Sequence, residues 1–232
     1  YESTAGLLSK QALYLKGSDI LDGKLYANGM FSVQDESSML AVDTLDPQPG
    51  EMIMDVCAAP GGKSLAIAEK MNNKGQIIAR DIYRRKLSII DKEAERLGIN
   101  IIQTGTWDAT RVDSSMIDKA DRVLVDAPCS GLGVVRRKPE IKYKKQAADI
   151  EELPRKQLLI LSVSSQYVKP GGVLVYSTCT VSRDENQRVI NDFLRRNTNF
   201  KKEEERQLLS NVDKTDGFYI CKMRKEELFN ND

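Results

Sequence analysis

Asp55-Val56-Cys57-Ala58-Ala59-Pro60-Gly61-Gly62-Lys63 is the stretch on which the fold turns. The apolar run Met52 to Cys57 reads as a buried strand, and Ser64 to Met71 reads as a helix. The small residues and paired glycines between them let a backbone approach a ligand closely. A helix N-terminus behind such a loop favours an anionic or carboxylate group. The loop is neither Gly-x-Gly-x-x-Gly nor a P-loop, so it does not point to a pyrophosphate or a triphosphate.

Downstream, the strand–helix rhythm repeats. Gln76 to Ile82 is a second strand. Arg84 to Leu97 is amphipathic, with Leu87, Ile90, Ala94 and Leu97 at helical spacing and Gly98 as its stop. Ile101 to Thr106 and Arg122 to Ala127 are the third and fourth strands. Pro154 suits the first turn of a helix that runs to about Val168. Lys169-Pro170-Gly171-Gly172 reads as a turn, Val173 to Ser177 as a fifth strand, Glu185 to Arg196 as a helix and Phe218 to Met223 as a late strand. This alternation predicts an α/β fold, a mostly parallel sheet with helices on both faces. Ligands of such sheets sit at the carboxyl ends of the strands. Residues 1 to 45 lack the rhythm and are expected to form a small helical cap or linker before a catalytic domain over 46–232.

Acidic residues stand at the ends of the next two strands. Asp81, 19 residues after Gly62, is placed like the ribose-hydroxyl ligand of nucleoside-binding sheets. Asp108, in Thr106-Trp107-Asp108-Ala109, is placed to bond an adenine amino group. Either alone reads equally well as a helix cap or a solvated loop residue. Three strand ends in register point to an adenosine-containing ligand.

Composition narrows the chemistry. Hydrophobic residues at 41% and charged residues at 30% are those of an ordinary soluble protein. With a net charge of +1, nucleic-acid binding has to come from local patches. No apolar run approaches the ~18 residues of a membrane span, and no signal-peptide pattern opens the chain, so a cytoplasmic protein without membrane partners is expected. The first residue is Tyr1 rather than Met, as expected of a fragment. There is no histidine, and the cysteines, Cys57, Cys129, Cys179 and Cys221, form no Cys-x-x-Cys pair, so no metal is expected. Mechanisms built on a histidine base are removed as well. A disulfide framework does not suit a chain this large and this poor in cysteine.

Cys221 inside the last strand, and Cys57 behind the glycine loop, read as packing residues. Cys129 and Cys179 differ, because each lies just past a strand in a polar loop, Asp126-Ala127-Pro128-Cys129-Ser130-Gly131 and Tyr176-Ser177-Thr178-Cys179-Thr180. Neighbouring strands would bring both thiols to one cleft, with Asp126 at its mouth. Methylation of cytosine carbon 5 needs this set. A thiolate adds to carbon 6 and makes carbon 5 nucleophilic, a carboxyl supports the charge at nitrogen 3, and a second group removes the carbon 5 proton. The residues alone leave open which thiol does which, since DNA cytosine methyltransferases use the Pro-Cys position as nucleophile.

Through these motifs the sequence resembles the RNA 5-methylcytosine methyltransferase family, which holds bacterial Sun/Fmu (RsmB), RsmF and eukaryotic NOL1/NOP2/Sun proteins. Asp55 to Lys63 matches its cofactor motif. Asp126 to Val134 with Arg136-Arg137-Lys138-Pro139-Glu140, and Tyr176 to Thr180 with Asp184-Glu185-Asn186, match two further motifs. Val33-Gln34-Asp35-Glu36-Ser37-Ser38 resembles the motif that precedes its catalytic sheet. The resemblance implies a Rossmann-like fold with a seven-stranded sheet, and S-adenosylmethionine bound by Cys57, Ala58, Ala59, Pro60, Gly61, Gly62, Lys63, Asp81, Asp108 and Asp126. It implies Cys179 as nucleophile, Cys129 as the release cysteine and Asp126 as the base-contacting carboxylate. Lys138 and Glu140 depart from the family's common histidine and aspartate.

The pattern is closest to the B type, which modifies small-subunit (16S) ribosomal RNA. That type carries an additional N-terminal NusB-like RNA-binding domain, absent from this sequence. Arg136, Arg137, Lys138, Lys142, Lys144 and Lys145 place six cations within ten residues beside the Cys129 loop and are expected at RNA phosphates. The target base must be unstacked to reach the thiols. A monomer is expected. Competing readings are a dehydrogenase-type Rossmann domain, a catalytically silent RNA-binding module and a related methyltransferase acting on tRNA. The missing Gly-x-Gly-x-x-Gly counts against the first, and retention of Cys129, Cys179 and Asp126 against the second.

Overall fold

The computed structural model describes residues 2–17, 20–141 and 147–227. Among these, β1 (Glu2–Ala5) and β2 (Leu13–Lys16) form an antiparallel hairpin of their own. The remaining strands are β3 (Met52–Asp55), β4 (Gln76–Asp81), β5 (Ile102–Thr106), β6 (Ala120–Asp126), β7 (Val168–Thr178), β8 (Phe200–Leu208) and β9 (Phe218–Lys225). They build a seven-stranded sheet in the order β5-β4-β3-β6-β7-β9-β8. The first five pair in parallel, and β9 runs antiparallel to both of its neighbours. The main helices are α1 (Lys24–Ala27), α2 (Glu36–Leu45), α3 (Gly62–Lys70), α4 (Arg84–Arg96), α5 (Ala147–Ser164) and α6 (Gln187–Arg196).

The two-residue period of the strands divides the core. Leu124, Val173 and Val175 point to one face and pack with Leu40, Val42, Ile67 and Met71 of the α2–α3 region. Val123, Val125, Leu174 and Tyr176 point to the other, against Ile160, Leu161, Ile190 and Phe193 of α5 and α6. Each fully buried side chain of this size contributes about 1.5–3 kcal/mol, so a one-residue slip of β6 or β7 would reverse both faces at large cost. From β3 the chain winds outward through β4 to β5, then returns to the opposite side of β3 as β6. The crevice at that reversal opens at the carboxyl ends of β3 and β6, where Asp55 and Asp126 stand.

Several elements differ from the sequence reading. Residues 2–16 are a hairpin rather than helical, and α2 buries Leu40, Ala41, Val42 and Leu45 against the sheet. Glu36 explains the hairpin's position: it accepts hydrogen bonds from Leu8 N, Ser9 N (2.7 Å) and the Tyr14 hydroxyl (2.6 Å), contacts across more than twenty residues that no local pattern encodes. Pro154 lies inside α5 rather than in its first turn; the Ala, Glu and Leu residues before it are good helix formers that extend the helix past one missing N–H. Lys169–Gly172 is part of β7, at a register shift opposite Ala120 and Arg122. The edge strand β8 was not foreseen, because Lys201 to Arg206 all face solvent and carry charge.

Candidate active site

The Cys57 to Lys63 loop is shaped by packing beneath it. Gly61 sits at φ +114°, and a Cβ there would come 2.7 Å from Ile90 of α4. Ala58 N donates to Arg80 O (2.8 Å) and Ala59 N to Asp81 Oδ2 (3.2 Å), which ties the loop to the end of β4. Asp81 Oδ1 also accepts from Tyr83 N (2.9 Å). Behind the loop, Asp55 Oδ2 accepts from Ser64 Oγ (2.6 Å), and burial pushes this carboxyl up to about 7.

Val56 to Cys57, Asp81 to Tyr83, Trp107 to Thr110 and Asp126 to Cys129 line a cleft of about 490 Å³, closed on the far side by Lys156, Ile160 and Cys179. A volume of this size suits a nucleoside-sized ligand. Asp108 Oδ1 accepts from Thr110 N (2.9 Å) and Thr110 Oγ1 (2.7 Å), while 45% of its side chain stays exposed. Cys57 is half-buried on the cleft wall, and burial pushes its thiol well up. A smaller cavity of about 170 Å³, lined by Gln34, Ser38, Asp55 and Lys63, meets the cleft at Asp126. Gly62, Ala58, Ala59 and Pro60 line that second space.

At the meeting point, Asp126 Oδ2 accepts from Lys63 Nζ at 2.6 Å and Oδ1 from Ser177 Oγ at 2.8 Å. Burial pulls the Lys63 ammonium down, but Asp126 outweighs it and the net direction is up. Cys129 Sγ and Cys179 Sγ lie 3.1 Å apart, at the ends of the paired strands β6 and β7. The contact with Cys129 lowers the Cys179 thiol, aided by Lys63 and opposed by burial and Asp126. The same contact, with burial, pushes Cys129 up. Gly133 N donates to Cys179 O (3.0 Å), Gly217 N donates to Gly133 O (3.0 Å), and a Cβ on Gly133 would overlap the Gly217 carbonyl. The three backbones therefore meet only because both positions are glycine.

Of the basic run, Arg136 is exposed and 3.9 Å from Asp216, while Arg137 pairs with buried Asp216 and lies 3.5 Å from Asp35. Arg137 is thus held by two internal carboxylates. Lys138 is exposed. Lys142, Lys144 and Lys145 lie outside the described residues. Among the described residues no three His, Cys, Asp or Glu side chains gather to hold a metal, and no helix is long and apolar enough to cross a membrane.

Sequence reasoning missed Trp107, Lys156 and Ser177 as site residues. The Trp107 ring lies under the Arg80 guanidinium at 4.9 Å, and Trp107 lines the cleft beside Asp108. It is the single tryptophan of the chain and sits at a strand end next to Asp108, a signal that was available. Lys156 and Ser177 carry none.

Residues 42–224 match the family model described as "16S rRNA methyltransferase RsmB/F". A "Probable ribosomal RNA small subunit methyltransferase B" from Bacillus subtilis is 43% identical over 97% of the chain and 54% of that protein. The chain spans about half the length of the curated relatives it matches. The structure named "PH0851" superposes with a TM-score of 0.92 at 32% identity, over 97% of this chain and 54% of that one. NSun6 from Pyrococcus horikoshii, solved with the S-adenosylmethionine analogue SFG, gives 0.82 at 32% identity, over 92% of this chain and 57% of that one.

Proposed function

The chain belongs to the RsmB/F family of 16S rRNA methyltransferases, and from that premise we propose that it methylates carbon 5 of a cytosine in small-subunit ribosomal RNA through a covalent cysteine adduct. Its fold is the Rossmann-like one of S-adenosylmethionine-dependent methyltransferases. The observation that carries the reading is the pair of thiols 3.1 Å apart beside the Lys63–Asp126 ion pair.

In this reading the Cys57 to Lys63 loop, Asp81 and Asp108 hold S-adenosylmethionine; the cleft between β3, β4, β5 and β6 has the size and the acidic strand ends such a ligand needs. When bound, S-adenosylmethionine supplies the methyl group that carbon 5 accepts. Cys179, the thiol held low, forms a bond to carbon 6 as thiolate. The ring's displaced electron pair is met by a proton at nitrogen 3, drawn from Lys63 Nζ through Asp126 Oδ2. Cys129, once it has given its own S–H proton to solvent, takes the carbon 5 proton; the carbon 5–carbon 6 double bond re-forms, Cys179 leaves as thiolate, and nitrogen 3 returns its proton through Asp126 Oδ2 to Lys63 Nζ. The protein is read as a cytoplasmic monomer, with residues 1–45 as a cap beside the catalytic domain 46–232 and exposed Arg136 and Lys138 at RNA phosphates.

The test is transfer of labelled methyl from S-adenosylmethionine to unmodified small-subunit RNA, followed by bisulfite mapping. Label on a bisulfite-resistant cytosine is expected. Label on another base, or on tRNA in preference, would sink the reading.

A further inference from the structure

Glu185 belongs to neither thiol loop, yet it is hydrogen bonded to both. It is fully buried just before α6. Its Oε2 accepts from Ser130 N at 2.8 Å and from Gln157 Nε2 at 2.9 Å, and its Oε1 accepts from Thr180 Oγ1 at 3.3 Å. Ser130 follows Cys129, and Thr180 follows Cys179. The Thr180 and Ser130 hydroxyl oxygens are 2.8 Å apart. Because the Thr180 proton is directed to Glu185, Ser130 is the donor of that pair. Ser130 N–H to Glu185, and Ser130 O–H through Thr180 to Glu185, then close a ring between the loops. Gln157 Nε2 also donates to Pro128 O (3.0 Å), which holds the residue before Cys129 from the same centre.

Among the described residues no lysine or arginine pairs with this carboxylate. A carboxylate withdrawn from water without a cation is costly to fold, and an apolar side chain could fill the space. An apolar side chain would lack acceptors that fix two loops at one separation. Building on the covalent reading above, we propose that Glu185 is a positioning residue that holds the two thiols at one shared distance, so that one can add to the ring and the other can release it. Glu185 touches no reacting atom; it acts through Ser130 and Thr180. The sensitivity follows from geometry, since a displacement of about 1 Å in a reacting group can cost 100-fold in rate.

Glu185→Gln keeps the volume but replaces one acceptor with a donor, so it cannot serve both Ser130 N–H and Thr180 O–H. Thr180→Val removes the hydroxyl at the far end of the ring with no change of size, and stands in should the first variant fold poorly. The first readout needs neither RNA nor cofactor: the rate at which dibromobimane bridges Cys129 and Cys179 in the intact chain, per folded molecule. We expect it to fall about tenfold, with kcat down about 100-fold and KM for RNA within threefold of wild type. A merely structural role would lower the amount of folded protein while leaving the bridging rate and kcat per folded molecule unchanged. Wild-type bridging and kcat in both variants would overturn the proposal. Failure of the wild-type chain to methylate cytosine would sink the functional reading alone, because the bridging rate still judges Glu185.

Discussion

The two thiol loops leave adjacent strands in the same direction and reach the same place, yet their surroundings are opposite. Cys179 is flanked by two buried threonines; Thr178 Oγ1 donates to Asn186 Oδ1 (2.6 Å), and Asn186 Nδ2 donates to Thr180 O (3.0 Å). Cys129 follows Pro128 and leads into Gly131 at φ +75°. One thiol is lowered and the other raised at a separation of 3.1 Å. Residue type alone therefore does not distinguish the two thiols; their surroundings do, with Lys63 favouring the Cys179 thiolate.

Deleting each thiol breaks the comparison at its largest. Cys179→Ala should lose at least about 10⁴-fold in rate and form no covalent RNA band on a denaturing gel. Cys129→Ala should transfer methyl once and then stall as a protein–RNA band, because release follows addition. A band in the first variant and none in the second would exchange the two roles.

Asp81→Ala bears on neither loop, so it tests whether the cofactor end is independent of the thiols. Calorimetry should show S-adenosylmethionine binding weakened by about 1–3 kcal/mol, with alkylation of both cysteines at the wild-type rate. Unchanged affinity would remove Asp81 from the site.

Lys63→Met sharpens the asymmetry by removing a group that favours the Cys179 thiolate. The thiolate midpoint should move to higher pH, so iodoacetamide alkylation of Cys179 near neutral pH should slow by about tenfold for each unit moved. Cys57 and Cys221, followed by mass spectrometry in the same sample, serve as references. A profile that does not move would detach Lys63 from the thiol.

The smallest effects separate two neighbouring arginines beside the Cys129 loop. Arg136→Glu should flatten the salt dependence of RNA binding by about 0.7–0.9 in slope with folding unchanged. Arg137→Glu should instead cost about 1–2 kcal/mol of stability, discounted for its half-exposed guanidinium, because it strands buried Asp216. Melting curves and salt titrations of both variants decide this. Equal melting points would return Arg137 to the surface.

The parallel half of the fold was legible because its central strands are apolar runs ended by small or acidic residues, as Ile53 to Asp55 and Val123 to Asp126 show. The cleft was legible for the same reason: its residues stand at those strand ends. What escaped reading depends on distant partners. Arg137 looks like any other member of a basic run, and only the fold brings Asp216, 79 residues away, against it. Strand β8 has almost no apolar pattern because it pairs on one side and faces water with its side chains. Glu185 stands within the Asp184-Glu185-Asn186 motif, but nothing local says that an acidic residue after a thiol loop will be buried.

The contact between Gly217 and Gly133 places the entrance to β9 against the two thiol loops. β9 follows β8 in the chain but lies between β7 and β8 in the sheet. During synthesis, therefore, both thiols, the cofactor loop and Lys63 leave the ribosome before the residues that brace them. β8 must wait without a sheet neighbour until β9 is made and inserted. A growing chain that stops short of Gly217 would carry both thiols and Lys63 while Gly133, and through it the Cys179 carbonyl, still lacked its backing.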